Sequence, residues 1–102
     1  MTSSSASPIA TAQVLNSQFE IKNKKGLHAR ASVKFVQTVE KFSSDVHVSR
    51  CGETVSGTSI MGLLTLGAAI GTMIDVTVSG DDAEECLEAI RKLLDDKFGE
   101  ED

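Results

Sequence analysis

The chain has 102 residues, 40% of them apolar, and a formal net charge of −5 at pH 7. This length predicts one domain with a modest core, and the negative charge argues against general nucleic-acid binding. Cys51 and Cys86 lack metal-ligand spacing, so we expect no zinc site and a reduced, cytoplasmic protein. The apolar run at 60–74 is too short and glycine-rich to span a bilayer, so we expect no membrane insertion.

The N-terminal segment 1–14 is rich in Ser, Thr and Ala and contains the single proline of the chain. It lacks a basic region followed by a long apolar run, so we expect a disordered leader and no signal peptide. From Leu15 to Ile21 the apolar side chains alternate loosely, which predicts a first strand. The folded domain is therefore expected to span 15–98.

A helix is predicted from Ala29 to Lys41, because apolar positions recur there at intervals of three and four residues. The stripe consists of Ser32, Phe35, Val36, Val39 and Phe42. A hairpin follows, with strands at Asp45–Arg50 and Glu53–Ser56 joined by a two-residue turn. The helix is expected to pack its stripe against the sheet to which these strands belong.

A short helix is predicted at 60–66, with Ser59 as its N-cap and Gly67 just beyond its end. The segment 57–62 resembles the beginning of a P-loop. Leu63 and Leu64 stand where that loop requires Lys and Ser or Thr, so we exclude a P-loop nucleotide site.

The last two predicted elements are a strand at Met73–Ser79, with strict alternation, and a helix that begins after Asp82. The buried stripe expected for this helix comprises Ala83, Cys86, Leu87, Ile90, Leu93 and Leu94. The acidic segment 99–102 is expected to be a frayed tail. The order β-α-β-β-α-β-α predicts an α+β fold with an antiparallel sheet and helices on one face.

His28 is the strongest functional candidate, because it stands between Gly26 and a predicted helix start. The first N–H groups of a helix lack intrahelical partners and form a positive end that binds anions. The Arg30 guanidinium adds a donor fork that suits phosphate oxygens. These features favour phosphorylation of His28 itself, with the N–H groups of Ala29 and Arg30 binding the phosphate. The plainer interpretation is a surface histidine in a basic, solvated loop.

Two segments, Gly-Leu-His-Ala-Arg-Ala at 26–31 and Gly-Thr-Ser-Ile-Met-Gly-Leu-Leu-Thr-Leu-Gly-Ala at 57–68, resemble those of a known family. This is the HPr family of histidine-containing phosphocarriers of the bacterial phosphotransferase system, including its nitrogen-system branch. The resemblance implies an open-faced β-sandwich of four antiparallel strands with three helices on one face. It also implies that enzyme I, phosphorylated by phosphoenolpyruvate, transfers a phosphoryl group to the protein, and that an IIA-type protein receives it.

Carried over to this chain, the resemblance implies that His28 is phosphorylated and that Arg30 stabilises the phosphate. It implies that Ser59 is a target of an HPr kinase/phosphorylase. The residues that we expect to contact partners on the short apolar helix are Ile60, Met61 and Leu64. We expect a monomer that carries the phosphoryl group without a metal or cofactor.

The chain departs from the family at Ala31, where a proline is usual. Ala31 retains a backbone donor that proline lacks. The acidic end at 95–102 resembles the nitrogen branch, whereas 59–67 resembles the sugar branch, so both branches stay open.

Other function classes are weaker on sequence grounds. A regulatory binding module of the same fold would act through Ser59 and partner docking and would not need His28. An RNA-recognition sheet needs aromatic side chains on its middle strands, and none stand there. A self-contained enzyme would need an acid–base or nucleophile–base pair, and none accompanies His28. A phosphoryl carrier is the better prediction.

Overall fold

The computed structural model describes residues 13–100. Its elements are β1 (Gln13–Glu20), α1 (Ala29–Val39), β2 (Asp45–Arg50), β3 (Glu53–Ser56), α2 (Ile60–Thr65), β4 (Met73–Gly80) and α3 (Ala83–Asp95). A short 3-10 turn at Lys97–Gly99 follows α3 and was not predicted. The predicted order β-α-β-β-α-β-α is confirmed.

The four strands form one antiparallel sheet in the spatial order β1-β4-β2-β3. Strand β4 lies inside this sheet, and its Ile74, Val76 and Val78 side chains are fully buried. The alternate residues Asp75 and Thr77 are only partly buried and belong to the opposite face. One face of the sheet is therefore apolar and covered by helices, which confirms the open-faced sandwich.

The helices bury the faces that their periodicity predicts. In α1 the buried side chains include Ser32, Phe35, Val36 and Val39. In α3 they are Ala83, Cys86, Ile90 and Leu94, whereas Leu87 and Leu93 are partly buried and pack against the edge of the core. Burial raises the pKa of the Cys86 thiol to about 11, as expected for a small core residue rather than a reactive thiol.

Strand β1 begins two residues earlier than predicted, so the end of the expected 1–14 leader belongs to the sheet. Gln13 and Val14 lie opposite Gly80 and Ser79 of β4. Both side chains are exposed, and the pairing is made by the backbone. The sequence therefore shows no alternation of apolar side chains that would predict a strand at these two positions. The remainder of the predicted leader, 1–12, lies outside the described residues.

The segment predicted as a frayed tail, 99–102, is ordered at its beginning. Phe98 is 1% exposed, and its carbonyl oxygen accepts a hydrogen bond of 2.6 Å from Lys34 Nζ. The backbone N–H of Glu100 donates to the carbonyl of Lys97 at 3.0 Å. Gly99 and Glu100 are thus held next to a buried aromatic ring, and 101–102 lie outside the described residues.

The turn before α1 is tied to the connection that follows α2. The N–H of Leu27 donates to the carbonyl of Ala68 at 2.9 Å, and Gly26 adopts a left-handed φ of +68°. A Cβ atom on Gly26 would lie only 2.4 Å from the Ala68 oxygen. This close approach of two backbones places His28 at the beginning of α1.

Replacing Gly26 with alanine should therefore lower the free energy of unfolding by more than the cost of placing an alanine in a left-handed conformation. Gly67 is the matched control, because its φ is +60° but an added Cβ would meet no atom within 4 Å beyond its chain neighbours. In urea unfolding, Gly67→Ala should lose about 1–2 kcal/mol, and Gly26→Ala should lose roughly 3 kcal/mol or more. Equal losses would show that the contact with Ala68 is not a constraint.

Candidate functional site

His28 is the N-cap residue of α1, as the sequence predicted. Its backbone is extended, with φ −80° and ψ −176°, and its carbonyl accepts a hydrogen bond of 2.8 Å from the N–H of Ser32. Its side chain makes no capping hydrogen bond and is 26% exposed. The imidazole therefore lies, partly exposed, at the positive end of the helix.

The first turn of α1 surrounds this position with donors. Ala29 and Arg30 are exposed, whereas Ala31 is fully buried. The N–H groups of a first helical turn have no intrahelical acceptor. An anion attached to His28 could therefore reach the N–H groups of Ala29 and Arg30 and the Arg30 guanidinium. The Ala31 methyl group belongs to the core, and α1 begins at Ala29 with this alanine in its first turn.

A carboxylate that the sequence prediction missed lies against the imidazole. His28 Nε2 is hydrogen-bonded to one oxygen of Glu100, and Asn23 Nδ2 donates to the other oxygen at 3.0 Å. Burial by itself would raise the pKa of Glu100, but hydrogen bonds from His28 and Asn23 and the charge of Lys25 bring it below its usual value. Glu100 is 72 residues from His28, so no local motif could reveal the contact.

The basic residues around the site serve different purposes. Lys22 Nζ pairs with Asp95 at 2.8 Å, and Lys34 donates to the Phe98 carbonyl. Lys24, Lys25 and Arg30 are exposed. Part of this positive charge is therefore used to hold α3 and the chain end.

Ser59 is the N-cap of α2, and its Oγ accepts a hydrogen bond of 3.0 Å from the N–H of Gly62. The cap predicted from the sequence is confirmed. Ser59 itself is partly exposed.

Helix α2 presents apolar side chains to solvent and packs against α1. Met61 is 70% exposed and Ile60 is 37% exposed, whereas Leu63 is fully buried. Leu64 is partly buried. Ile70, which the sequence prediction did not include, adds another apolar side chain that is 53% exposed. An apolar surface thus lies on the helix that neighbours the His28 helix.

Comparison with known proteins shows the family to which this chain belongs. The family model described as the PTS HPr component phosphorylation site matches residues 15–96. The chain belongs to the PTS-HPr family. HPr proteins are phosphocarriers of the phosphotransferase system, and this chain is one of them.

This chain matches individual relatives over almost the whole length of each relative. The phosphocarrier protein HPr of Neisseria meningitidis serogroup A is 47% identical over 87 residues, which are 85% of this chain and 98% of the relative. HPr of Xylella fastidiosa strain Temecula1 is 40% identical over 86% of this chain and 99% of the relative. The crystal structure of HPr-C-His from Thermoanaerobacter tengcongensis superposes with a TM-score of 0.82 at 45% identity, covering 85% of this chain and 98% of that one.

None of the helices in residues 13–100 is long and apolar enough to cross a membrane. Within the same range, no three His, Cys, Asp or Glu side chains come together as a possible set of metal ligands.

Proposed function

We propose that this protein accepts a phosphoryl group on His28 from phosphorylated enzyme I. It passes the group to an IIA-type protein of a sugar or nitrogen-related phosphotransferase system. The observation that carries the proposal is the position of His28, whose partly exposed imidazole lies at the N-terminus of α1 beside Arg30. Membership of the HPr family supports it.

The proposed chemistry needs positioning and charge stabilisation more than acid–base catalysis. A neutral imidazole nitrogen can attack phosphorus without a separate base near neutral pH. The nitrogen lone pair forms the new N–P bond while the donor's bond to phosphorus breaks and its electron pair stays with the donor. The N–H groups of Ala29 and Arg30, the helix dipole and the guanidinium stabilise the phosphoryl oxygens. No metal or cofactor enters this proposal.

His28→Ala should abolish the acid-labile phosphoryl group formed on incubation with enzyme I and phosphoenolpyruvate. His47→Ala is the matched control, because His47 is the other histidine of the chain and is exposed on β2. Arg30→Ala should keep the thermal midpoint but slow transfer about 10-fold, since it removes a charged donor to the phosphate. Phosphorylation of His28→Ala at the wild-type rate would refute the proposed mechanism.

We propose that Ile60, Met61 and Leu64 form the surface that docks enzyme I. Their partial exposure and the packing of α2 against α1 support this role, because a partner seated there would also reach His28. Exposed apolar residues grouped on one surface are typical of protein interaction sites.

Met61→Glu should slow transfer from enzyme I at limiting concentrations while moving the thermal midpoint by no more than a few degrees. Leu63→Ala is the contrasting variant, because Leu63 is fully buried on the same helix. It should lose about 2–5 kcal/mol of unfolding free energy. A large loss of stability in Met61→Glu, or an unchanged transfer rate, would remove Met61 from the docking surface.

We further propose that an HPr kinase/phosphorylase regulates the protein through Ser59. A phosphate there would add about two negative charges at the beginning of α2, which tolerates them. The neighbouring apolar surface at Ile60 and Met61 would acquire a strongly hydrated anion. Docking would weaken while the fold survives. If the protein acted only as a regulatory binding module, partner binding would depend on Ser59 and not on His28.

Ser59→Asp and Ser59→Ala separate the capping role from the regulatory one. The alanine variant loses the bond to Gly62, so its unfolding free energy should fall by about 1 kcal/mol with an unchanged transfer rate. The aspartate variant can still cap α2 and should unfold like the wild type but accept phosphate more slowly. Equal transfer rates in all three proteins would leave Ser59 as a cap only.

A further inference from the structure

Strand β1 forms one edge of the sheet, and no other strand of residues 13–100 pairs with its outer side. It is eight residues long, whereas β3 at the opposite edge has four residues and packs beside α2. Edge strands are commonly protected by proline, by lysine or by a covering element. Strand β1 contains neither proline nor lysine. Its outer N–H and C=O groups can therefore accept another strand.

A groove lies next to this edge, between β1 and α3. Leu15, Ser17 and Phe19 line it from β1, and they are alternate residues that share the helix-covered face of the sheet. Leu87 lines it from α3, and both leucines are only partly buried. The volume of the groove is about 160 Å³. Pockets for small molecules usually have roughly 300–1,000 Å³, so this groove suits a single apolar side chain.

The charged side chains of α3 at the groove are mainly acidic. Glu84, Glu88 and Arg91 line it. The Arg91 guanidinium is already hydrogen-bonded to Glu88 and Asp95. Glu84 is exposed and forms no ion pair with any residue of 13–100. An unpaired carboxylate thus lies beside the apolar floor, and it favours a cation on whatever binds there.

We propose that β1 and α3 form a docking groove for an extended segment of a partner protein, which adds to β1 as a fifth strand of the sheet. The segment places one apolar side chain in the groove and a lysine or arginine beside Glu84. These two side chains are two residues apart, because alternate residues of a strand point to the same face. Main-chain hydrogen bonds to β1 give affinity, and the groove gives specificity.

Charge distinguishes this partner from two other possible occupants. Residues 1–12 contain no lysine or arginine, so they have no side-chain cation to offer to Glu84. A second copy that paired its own β1 antiparallel to this one would place both α3 helices on the same face of a continuous sheet. Glu84 and Glu88 of the two copies would then approach each other, and like charges in an interface are repulsive.

The groove and the surface proposed for enzyme I lie at opposite edges of the sheet. Helix α3 packs beside β1, whereas α2 packs beside β3. A segment bound at β1 therefore leaves Ile60 and Met61 uncovered. One partner could hold the protein through the groove while another exchanges phosphoryl groups with it, so this docking function is separate from the proposed relay.

The test uses a blocked heptapeptide, Thr-Lys-Thr-Leu-Thr-Lys-Thr, whose leucine and two lysines share one face when it is extended. Titrated into the ¹⁵N-labelled full chain, it should shift the amide resonances of 13–20 and 84–91 and leave those of 60–65 unchanged. A peptide with glutamate in place of both lysines should bind about 10-fold more weakly. A peptide with threonine in place of the leucine should also lose about 10-fold in affinity.

Backbone pairing is tested by methylating the peptide nitrogens. One peptide is N-methylated on its threonines and another on its lysines and leucine. The N–H groups of a strand point alternately to its two sides, so strand addition requires one of these peptides to bind and the other to fail. Equal binding of both would exclude strand addition to β1.

Variants of the protein locate the groove. Ser17→Leu fills it from β1 and should weaken peptide binding about 10-fold, because the peptide leucine can no longer be buried. Gln18→Leu is the matched control, since Gln18 is exposed on the other face of the same strand. Glu84→Gln should weaken binding about 2- to 5-fold, and Glu85→Gln, on the same helix but outside the groove, should not. Thermal midpoints report whether each variant is folded, and the peptide series needs no variant.

Other occupants would give different results, and each of these would overturn the proposal. A rise of about 10-fold or more in peptide affinity on deletion of residues 2–12 would show that this segment occupies the groove. Self-association in sedimentation velocity, with shifts of 13–20 and 84–91 in the absence of peptide, would show that a second copy does. Equal affinity for the lysine and glutamate peptides, or no shifts at millimolar peptide, would remove the docking role altogether.

Transfer from phosphorylated enzyme I gives an independent measurement. Saturating peptide should leave the transfer rate unchanged, because the groove and α2 lie at opposite edges of the sheet. Inhibition by the peptide would place it on the enzyme I surface and would overturn the assignment to β1. Failure of the wild-type protein to accept a phosphoryl group would refute the proposed function of His28 and leave the peptide results, which decide the groove, unaffected.

Discussion

The hydrogen bond from the Leu27 N–H to the Ala68 carbonyl joins the two parts of the chain on which the proposed activity depends. It ties the turn before α1 to the connection after α2, and Gly26 permits it because no Cβ atom separates the backbones. This hydrogen bond consequently holds the turn before His28 beside the connection that follows the apolar surface of α2. A partner seated on α2 would approach the imidazole in a defined direction, which is what phosphoryl transfer between proteins requires.

The electrostatics of the site show how an acidic protein can carry an anion. In the proposed mechanism the positive end of α1 and Arg30 attract the phosphoryl oxygens, whereas the Glu100 carboxylate contacts the imidazole of His28 through Nε2. The Glu100 carboxylate is stabilised beside the imidazole because His28 Nε2 and Asn23 Nδ2 are hydrogen-bonded to its two oxygens. Lys22 and Lys34 contribute by holding Asp95 and the Phe98 carbonyl, which keeps the chain end close to the site.

The division between core and surface on α2 follows from its short length. Leu63 enters the core, and the side chains at Ile60 and Met61 cannot reach it because they lie on other sides of a helix of six residues. Three helices cover one face of the sheet, and the apolar excess of this short helix stays exposed. The fold therefore leaves an exposed apolar surface on α2, which is the surface that we propose for docking.

Sequence alone determined the order of elements, the buried stripes of α1 and α3, the cap at Ser59 and the position of His28 at a helix start. These features depend on period, turn chemistry and capping, which act between near neighbours. Strand pairing at Gln13 and Val14 escaped prediction, because exposed side chains leave no pattern when the pairing is made by the backbone. The contact of Glu100 with His28 was decided only by tertiary structure, since it needs the burial of Phe98 and a left-handed turn to bring together residues 72 positions apart.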